Sequence, residues 1–411
     1  MFRYRMWSAG VLVAMATMAF AAPAASQAVT GSSKAAVYAS VGEELIAFSA
    51  DTERATLARQ SSVVLPGFVQ EAWLSPSGPF LYIAWSNGGA SYNGSGVEPV
   101  GDRHGITAFR VDSTGGLHAH GAPASLRSRP IYITGDRSGR HLLVAYNDPS
   151  GISVHTIDAD GTVASEVPQS SSLDVGIYAH QVRVLPTDDA VVLVTRGNEP
   201  TSTTREDPGA LKVLRYADGK LANIASIAPS NGIGFRSRHL DFHPTRPWAF
   251  LTLEAQNKLD VFGITQGTLS PAPLFSKPTL ADGTGVKAGQ TASSIHVHPN
   301  GQFVYVANRG AAASGGTNNI AVFRINQQTG EPSLIQNIDT RGSTPRTFSM
   351  DPSGRMLVVG NQTTTSVAGQ MVPANLAVFR IGADGILDFV QTYDAAVGRK
   401  PLWWTGVVPL R

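Results

Sequence analysis

A unit of roughly fifty residues recurs along this chain, and no other feature restricts its fold as strongly. The core of the unit reads "QEAWLSPSGPFLYIAWSN", "RPIYITGDRSGRHLLVAYND", "AHQVRVLPTDDAVVLVTRGN", "SRHLDFHPTRPWAFLTLEAQN", "SSIHVHPNGQFVYVANRG" and "PRTFSMDPSGRMLVVGNQ". Each copy has an alternating stretch, a turn at Pro76, Arg137, Pro186, Pro244, Pro299 or Pro352, and then an apolar run. The turns are 49 to 61 residues apart. A third strand follows in every copy: "GITAFRVD", "GISVHTID", "ALKVLRYA", "KLDVFGIT", "NIAVFRIN" and "NLAVFRIG". Alternation and short apolar runs mark strands, and helical spacing is absent. Four short strands per unit is the pattern of a propeller blade.

Six units are complete, and the chain ends supply a seventh. "PLWWTGVV" near the C-terminus reads as an inner strand without partners. "AAVYASVGEELIAFSA" reads as second and third strands lacking an inner one. Pairing the two closes the ring and removes an open sheet edge. The expected fold is an all-β, seven-bladed β-propeller of four-stranded antiparallel blades, one domain over residues 29–411.

The segment before it divides as a secretory signal peptide does. Arg3 and Arg5 precede an apolar stretch from Gly10 to Phe20, and "AFA" and "APA" offer small-residue cleavage sites. The apolar run is short for a membrane span. Residues 1–28 are therefore expected to be a signal peptide and the mature protein periplasmic or secreted, with no stable membrane insertion after cleavage.

Composition removes several classes of function. There are no cysteines, so neither disulfides nor thiolate catalysis is available. A net charge of +2 without any basic run argues against a nucleic-acid surface. Serine-hydrolase elbow, P-loop, HExxH and dinucleotide motifs are all missing. No metal, cofactor or nucleic-acid partner is expected, and the chain is expected to act as a monomer.

Register converts the repeat into a site. In an antiparallel hairpin the start of one strand lies beside the end of the next, opposite the turn. Six residues before the turns stand Gln70, Ile131, His180, Arg238, Ser293 and Arg346; ten residues after them stand Ser86, Asn147, Arg196, Glu254, Arg309 and Gln362. These form two rings around one mouth of the channel. Strand ends are often polar, but the bias here is toward arginine, which suits bidentate recognition of anions and stabilises oxyanions. The long segments after second strands, such as "EPTSTTREDPG", rise on the same side. "IHVHP" places His296 and His298 at a spacing that could ligate a metal. His298, like His243, directly precedes a turn, and a structural role there is expected instead. His118 and His120 fall on an outer strand and are expected to be solvated.

The motifs "SRHLDFHP…LE…NKLDVF", "IHVHPNGQFVYVANRG…NIAVFRIN…TG" and "TPRTFSMDPSGRMLVVGNQ" resemble the lactonase family of seven-bladed propellers. That family includes the propeller-type 6-phosphogluconolactonases and the carboxymuconate lactonising enzymes. The resemblance covers about residues 35 to 408. It implies a carboxylic-ester hydrolase acting on a small-molecule lactone, with catalytic residues at His180, Arg238, Glu254 and Arg309. Tyr178 stands where the family has a histidine, and Arg196 where it has an acidic or apolar residue. Water attack on the lactone needs a base, His180 or Glu254. A carboxylate beside several arginines is a poor one, which favours His180, with Glu254 orienting it or holding Arg238. Arg238 and Arg309 would stabilise the oxyanion; Arg346, Arg196, Asn147 and Gln362 would bind substrate. An export signal argues against a phosphorylated sugar lactone. The alternative is a non-catalytic propeller holding an anionic ligand or a protein partner at the same mouth.

Overall fold

The computed structural model describes residue 1 and residues 34–88, 101–170, 172–281, 285–311, 314–367, 370–398 and 400–410. Apart from Met1, the expected signal peptide lies outside the described residues. Seven antiparallel blades follow one another around a ring. The first runs Phe68–Leu74, Phe80–Ser86, His104–Val111 and Leu117–Ser125 from axis to rim. The closing blade takes its inner strand, Leu402–Pro409, from the C-terminus. Its other three strands, Lys34–Val41, Glu44–Asp51 and Thr56–Val64, come from the N-terminal end. Tyr38 is registered against Gly406 across that junction. The innermost strands contact each other in a closed circuit, so no blade leaves an inner edge exposed.

Burial follows strand order within each blade. Second strands such as His141–Asn147, Ala190–Thr195 and Trp248–Leu253 are buried along their whole length, because neighbouring blades cover both faces. This explains why the sequence shows continuous apolar runs there. The cores lie between blades: Leu185, Val192, Leu211 and Phe235 pack with Leu240, Ala249, Leu251 and Phe262, for example. Burying one such Leu or Phe stabilises by about 1.5–3 kcal/mol.

Polar latches repeat between blades as well. Tyr38, Tyr82 and Tyr305 donate their hydroxyls to the carbonyls of Gly115, Gly161 and Gly385, at 2.9, 2.8 and 3.0 Å. Gly161 has φ +91°, and a Cβ there would stand 2.5 Å from the Phe80 ring, so both conformation and space require glycine. His243 and His298 act similarly, donating Nε2 protons to Gly301 and Gly354 carbonyls at 2.8 and 2.9 Å. Their rings fasten turns at the end of the blades remote from the arginines, as their place before the turns implied. His118 is exposed and pairs with Asp112 at 2.8 Å.

Candidate active site

Hairpin geometry delivers the predicted side-by-side ends. Thr291 is registered opposite Arg309, Ser237 opposite Leu253 and Ala179 opposite Thr195. A further device was not foreseen. Every inner strand breaks register at the position counted from the turn: between Val69 and Glu71, Pro130 and Tyr132, Ala179 and Gln181, Ser237 and Leu240, Ala292 and Ile295, and Pro345 and Thr347. The seventh junction breaks opposite Trp403 and Trp404. A bulge leaves one residue without a partner and re-aims its side chain. Consecutive residues of a regular strand face opposite ways. Here the bulges let consecutive pairs both serve the axis.

The first members Ile131, His180, Arg238, Arg346 and Trp403 line a cavity of about 990 Å³. Arg196, Glu254, Arg309, Asn147 and Gln362, from the ends of second strands, line it too. All eight residues singled out from the sequence thus meet in one cavity. Gln70 and Ser293, counted into the same ring, are turned to other work. Gln70 accepts from Arg129 at 2.9 Å, and Ser293 donates to the Pro345 carbonyl at 2.7 Å. The second members, Glu71, Tyr132, Gln181, His239, Ser294, Thr347 and Trp404, surround a smaller axial chamber of about 190 Å³. The long segment after Arg196 forms one wall through Asn198, Glu199, Thr201, Arg205 and Asp207. Glu206 ties that segment down through Arg236 at 3.2 Å.

Glu254 is the hub. One carboxylate oxygen is bonded by Arg196 Nε; the other is bonded by Arg309 and lies 3.2 Å from Arg238 Nε. Burial alone would raise its pKa, but Arg309, Arg196 and Arg238 outweigh it and hold the carboxyl well below the usual carboxylate range. It has no hydrogen bond to His180 among the described residues, and its side-chain partners are three guanidinium groups. Arg196 is claimed by two carboxylates, Glu254 and Glu199 (2.6 Å), and lies over the Tyr178 ring at 5.7 Å. A substrate anion at Arg196, the part expected of it, would compete with both carboxylates.

His180 is 7 % exposed, and its Nδ1 is buried with no hydrogen-bond partner among the described residues. Its ring meets that of His239 edge-on at 5.0 Å. Burial, then the charges of Arg238, Arg346, Arg196 and Arg309, push its pKa well below the usual imidazole value. It is therefore neutral at physiological pH. Arg238, 1 % exposed, is pulled down to about 9 by burial and by Arg309, and stays cationic at neutral pH. Arg346 pairs with no carboxylate within 4 Å among the described residues. It lies 3.5 Å from the centroid of Trp403 instead. Burial, then Arg238 and Arg309, lower its pKa strongly, so its charge is held under repulsion that an incoming anion would relieve.

Among the described residues no group of three His, Asp or Glu side chains is arranged to hold a metal ion. His296 instead faces Asp241 at 3.7 Å, beside the Arg183–Asp241 pair at 2.8 Å.

A closed seven-bladed ring with an arginine-rich axial cavity and one neutral histidine defines an axial-site propeller. The sequence profile of the "Lactonase, 7-bladed beta-propeller" family matches residues 30–374, and the chain belongs to that family. Among its curated relatives, a 6-phosphogluconolactonase of Yersinia pestis is 27% identical over 344 residues, covering 83% of this chain and 88% of that protein. One of Pectobacterium atrosepticum is 25% identical, with 83% and 89% covered. The solved structure of a Pseudomonas aeruginosa periplasmic gluconolactonase superposes with a TM-score of 0.69 at 20% identity. It covers 92% of this chain and 100% of that one. That likeness is one of fold.

Proposed function

We propose that this chain is an exported hydrolase that opens a sugar- or muconate-type lactone by water attack in the axial cavity. The observation that carries the reading is the convergence there of a neutral, buried imidazole with Arg238, Arg309 and Arg346. The family and its 6-phosphogluconolactonase relatives support lactone hydrolysis. With Nδ1 sealed by the protein, Nε2 of His180 is the nitrogen that water in the cavity would reach. Nε2 takes a proton as the water oxygen bonds to the carbonyl carbon, and the carbonyl π pair moves onto oxygen. Arg238 and Arg309 stabilise that oxyanion, a contribution typically worth about 3–4 kcal/mol per well-placed donor. As the intermediate collapses, the acyl–oxygen bond of the ring breaks. His180 then returns its proton to the leaving alkoxide, giving a hydroxy acid.

Glu254 is ill-suited as base, since its carboxylate is already bonded by guanidinium groups and has a depressed pKa. Its role is to hold Arg238 and Arg309 in place. Arg346, backed by Trp403, takes an anionic substituent of the substrate. The N-terminal segment argues for export, and among the described residues no helix is long and apolar enough to cross a membrane.

Acid release from purified mature protein, followed in a pH-stat over a panel of lactones, tests the reading. Turnover that falls at least 100-fold in Arg309→Ala supports it. No turnover, with calorimetric binding of anions at the same cavity, would replace it by the binding-propeller alternative.

A further inference from the structure

Asn147 ends the second strand of its blade, is 3 % exposed, and lines the large cavity. Among the described residues, neither its Oδ1 nor its Nδ2 has a hydrogen-bond partner. Other buried amides at this end of the blades behave differently. Asn308 donates to Asn319 at 2.8 Å and to the Thr279 carbonyl at 3.1 Å. Asn361 donates to the Thr340 carbonyl at 2.7 Å and to Asn375 at 2.9 Å, leaving only its Oδ1 without a partner among the described residues. Those two fasten loops to strands. Of the other residues counted at the ends of second strands, Glu254 is bonded by Arg196 and Arg309, and Ser86 hydrogen-bonds His104 at 2.9 Å. Asn147 has no such partner, although an unpaired buried donor or acceptor costs about 1–3 kcal/mol. Folding alone gives no reason for an amide in that place.

We propose that Asn147 is a specificity-determining residue, whose amide reads a ring hydroxyl of the substrate and so selects hydroxylated lactones. The inference rests on the lactonase reading and decides between the two substrate types left open above. A lactone ring brings a carbonyl and a ring oxygen, both acceptors. Carboxylate substituents, as on a muconate-type lactone, add only acceptors. Such a ligand can satisfy Nδ2 but leaves Oδ1 buried and unpaired. A ring hydroxyl accepts from Nδ2 and donates to Oδ1, and two adjacent hydroxyls do both without distortion. The guanidinium groups nearby cannot substitute, because they have no acceptor to offer. A site built to hydrogen-bond a hydroxyl rejects the analogue lacking it far more strongly than an apolar pocket rejects a missing methylene.

The test compares kcat/KM for a polyhydroxylated six-membered lactone, for the unsubstituted ring, and for a carboxylated lactone without hydroxyls. It uses the wild type, Asn147→Leu and Asn147→Ser. The wild type is expected to favour the hydroxylated ring by about 100-fold or more over both others. Asn147→Leu should lose about 10–100-fold on that ring alone, leaving the unsubstituted one within about threefold. Its melting temperature should not fall, since an apolar group replaces an unsatisfied one. If Asn147→Leu does not fold, Asn147→Ser, which replaces the amide by a shorter hydroxyl, should show the preference reduced about tenfold. Equal wild-type turnover of all three rings, or equal loss on all three in the variants, would overturn the inference while leaving the lactonase reading standing. Failure of the wild type to open any lactone would remove both.

Discussion

Arg346 lies over the indole of Trp403, 3.5 Å from the ring centroid, and these neighbours come from different blades. Trp403 belongs to the strand that closes the ring, so Arg346, which pairs with no carboxylate among the described residues, leans on the junction of the two chain ends. A planar guanidinium stacks on an indole in a way that an ammonium cannot reproduce. Arg346→Lys should therefore raise KM for an anionic lactone by about tenfold or more, with little change for a neutral one. Steady-state kinetics on a charged and uncharged pair checks this. An equal effect on both substrates would remove Arg346 from anion binding.

His180 sets the expected pH dependence. Its pKa lies well below the usual imidazole value, chiefly through burial and then through the arginines. The imidazole is the base only when neutral, so kcat/KM, which reports the free enzyme, should stay level as pH falls through 6.5. Its acid limb should appear lower. An anion seated on Arg346 offsets part of the positive field, raises the pKa in the complex, and moves the acid limb of kcat to higher pH than that of kcat/KM. Rate profiles from pH 4 to 8, read as about two separate limbs, provide the check. A single limb at the unperturbed imidazole value for both parameters would contradict it.

Glu254 joins catalysis to stability. Removing one partner from a buried ion cluster leaves the others uncompensated, typically at a cost of about 3–5 kcal/mol. Glu254→Gln should lower the melting temperature as well as the rate, whereas His180→Gln should lower the rate alone. The sign with pH follows from its depressed pKa. Its contribution is complete above the ordinary carboxylate pKa and is lost as pH falls toward the folded value. Thermal unfolding of wild type and Glu254→Gln should therefore converge in strong acid. A gap between them that does not narrow would assign the stabilisation elsewhere.

Export makes a separate expectation. Mass spectrometry of protein recovered from the periplasm or medium should find a chain beginning at residue 22 or 25, after the "AFA" or "APA" cleavage site. Full-length protein retained in the cytoplasm would contradict it.

Much of this architecture was legible because each blade restates the same constraint. Alternation before a Pro or Gly turn, and an apolar run after it, fix the hairpin, and the hairpin fixes which residues share a mouth. That is how Arg238 and Glu254, sixteen positions apart in sequence, could be placed together before any coordinates. The ion-pair assignments were less accessible. Counting identifies residues at one rim but not which carboxylate holds which guanidinium: Arg196, expected to bind substrate, lines the cavity between Glu254 and Glu199.

The bulges were missed altogether, though they left a trace. Arg238-His239, His180-Gln181 and Gln70-Glu71 are adjacent polar pairs that interrupt the alternation just where the strands break register. Under strict alternation one member of each pair would face the opposite way. His239 had no place in that scheme; it belongs to the second ring, around the smaller chamber. Arg129, another wall of the large cavity, lies just before its strand and outside the counted offsets.

The central claim is that His180 drives water onto a lactone carbonyl, and the most direct measurement is kcat/KM for lactone opening by wild type and His180→Ala at neutral pH. The reaction is run in ¹⁸O-labelled water. The account expects the label in the carboxylate of the product and a rate lower by about 10²–10⁴-fold in the variant. A His180→Ala protein that folds and opens the lactone at the wild-type rate would contradict it.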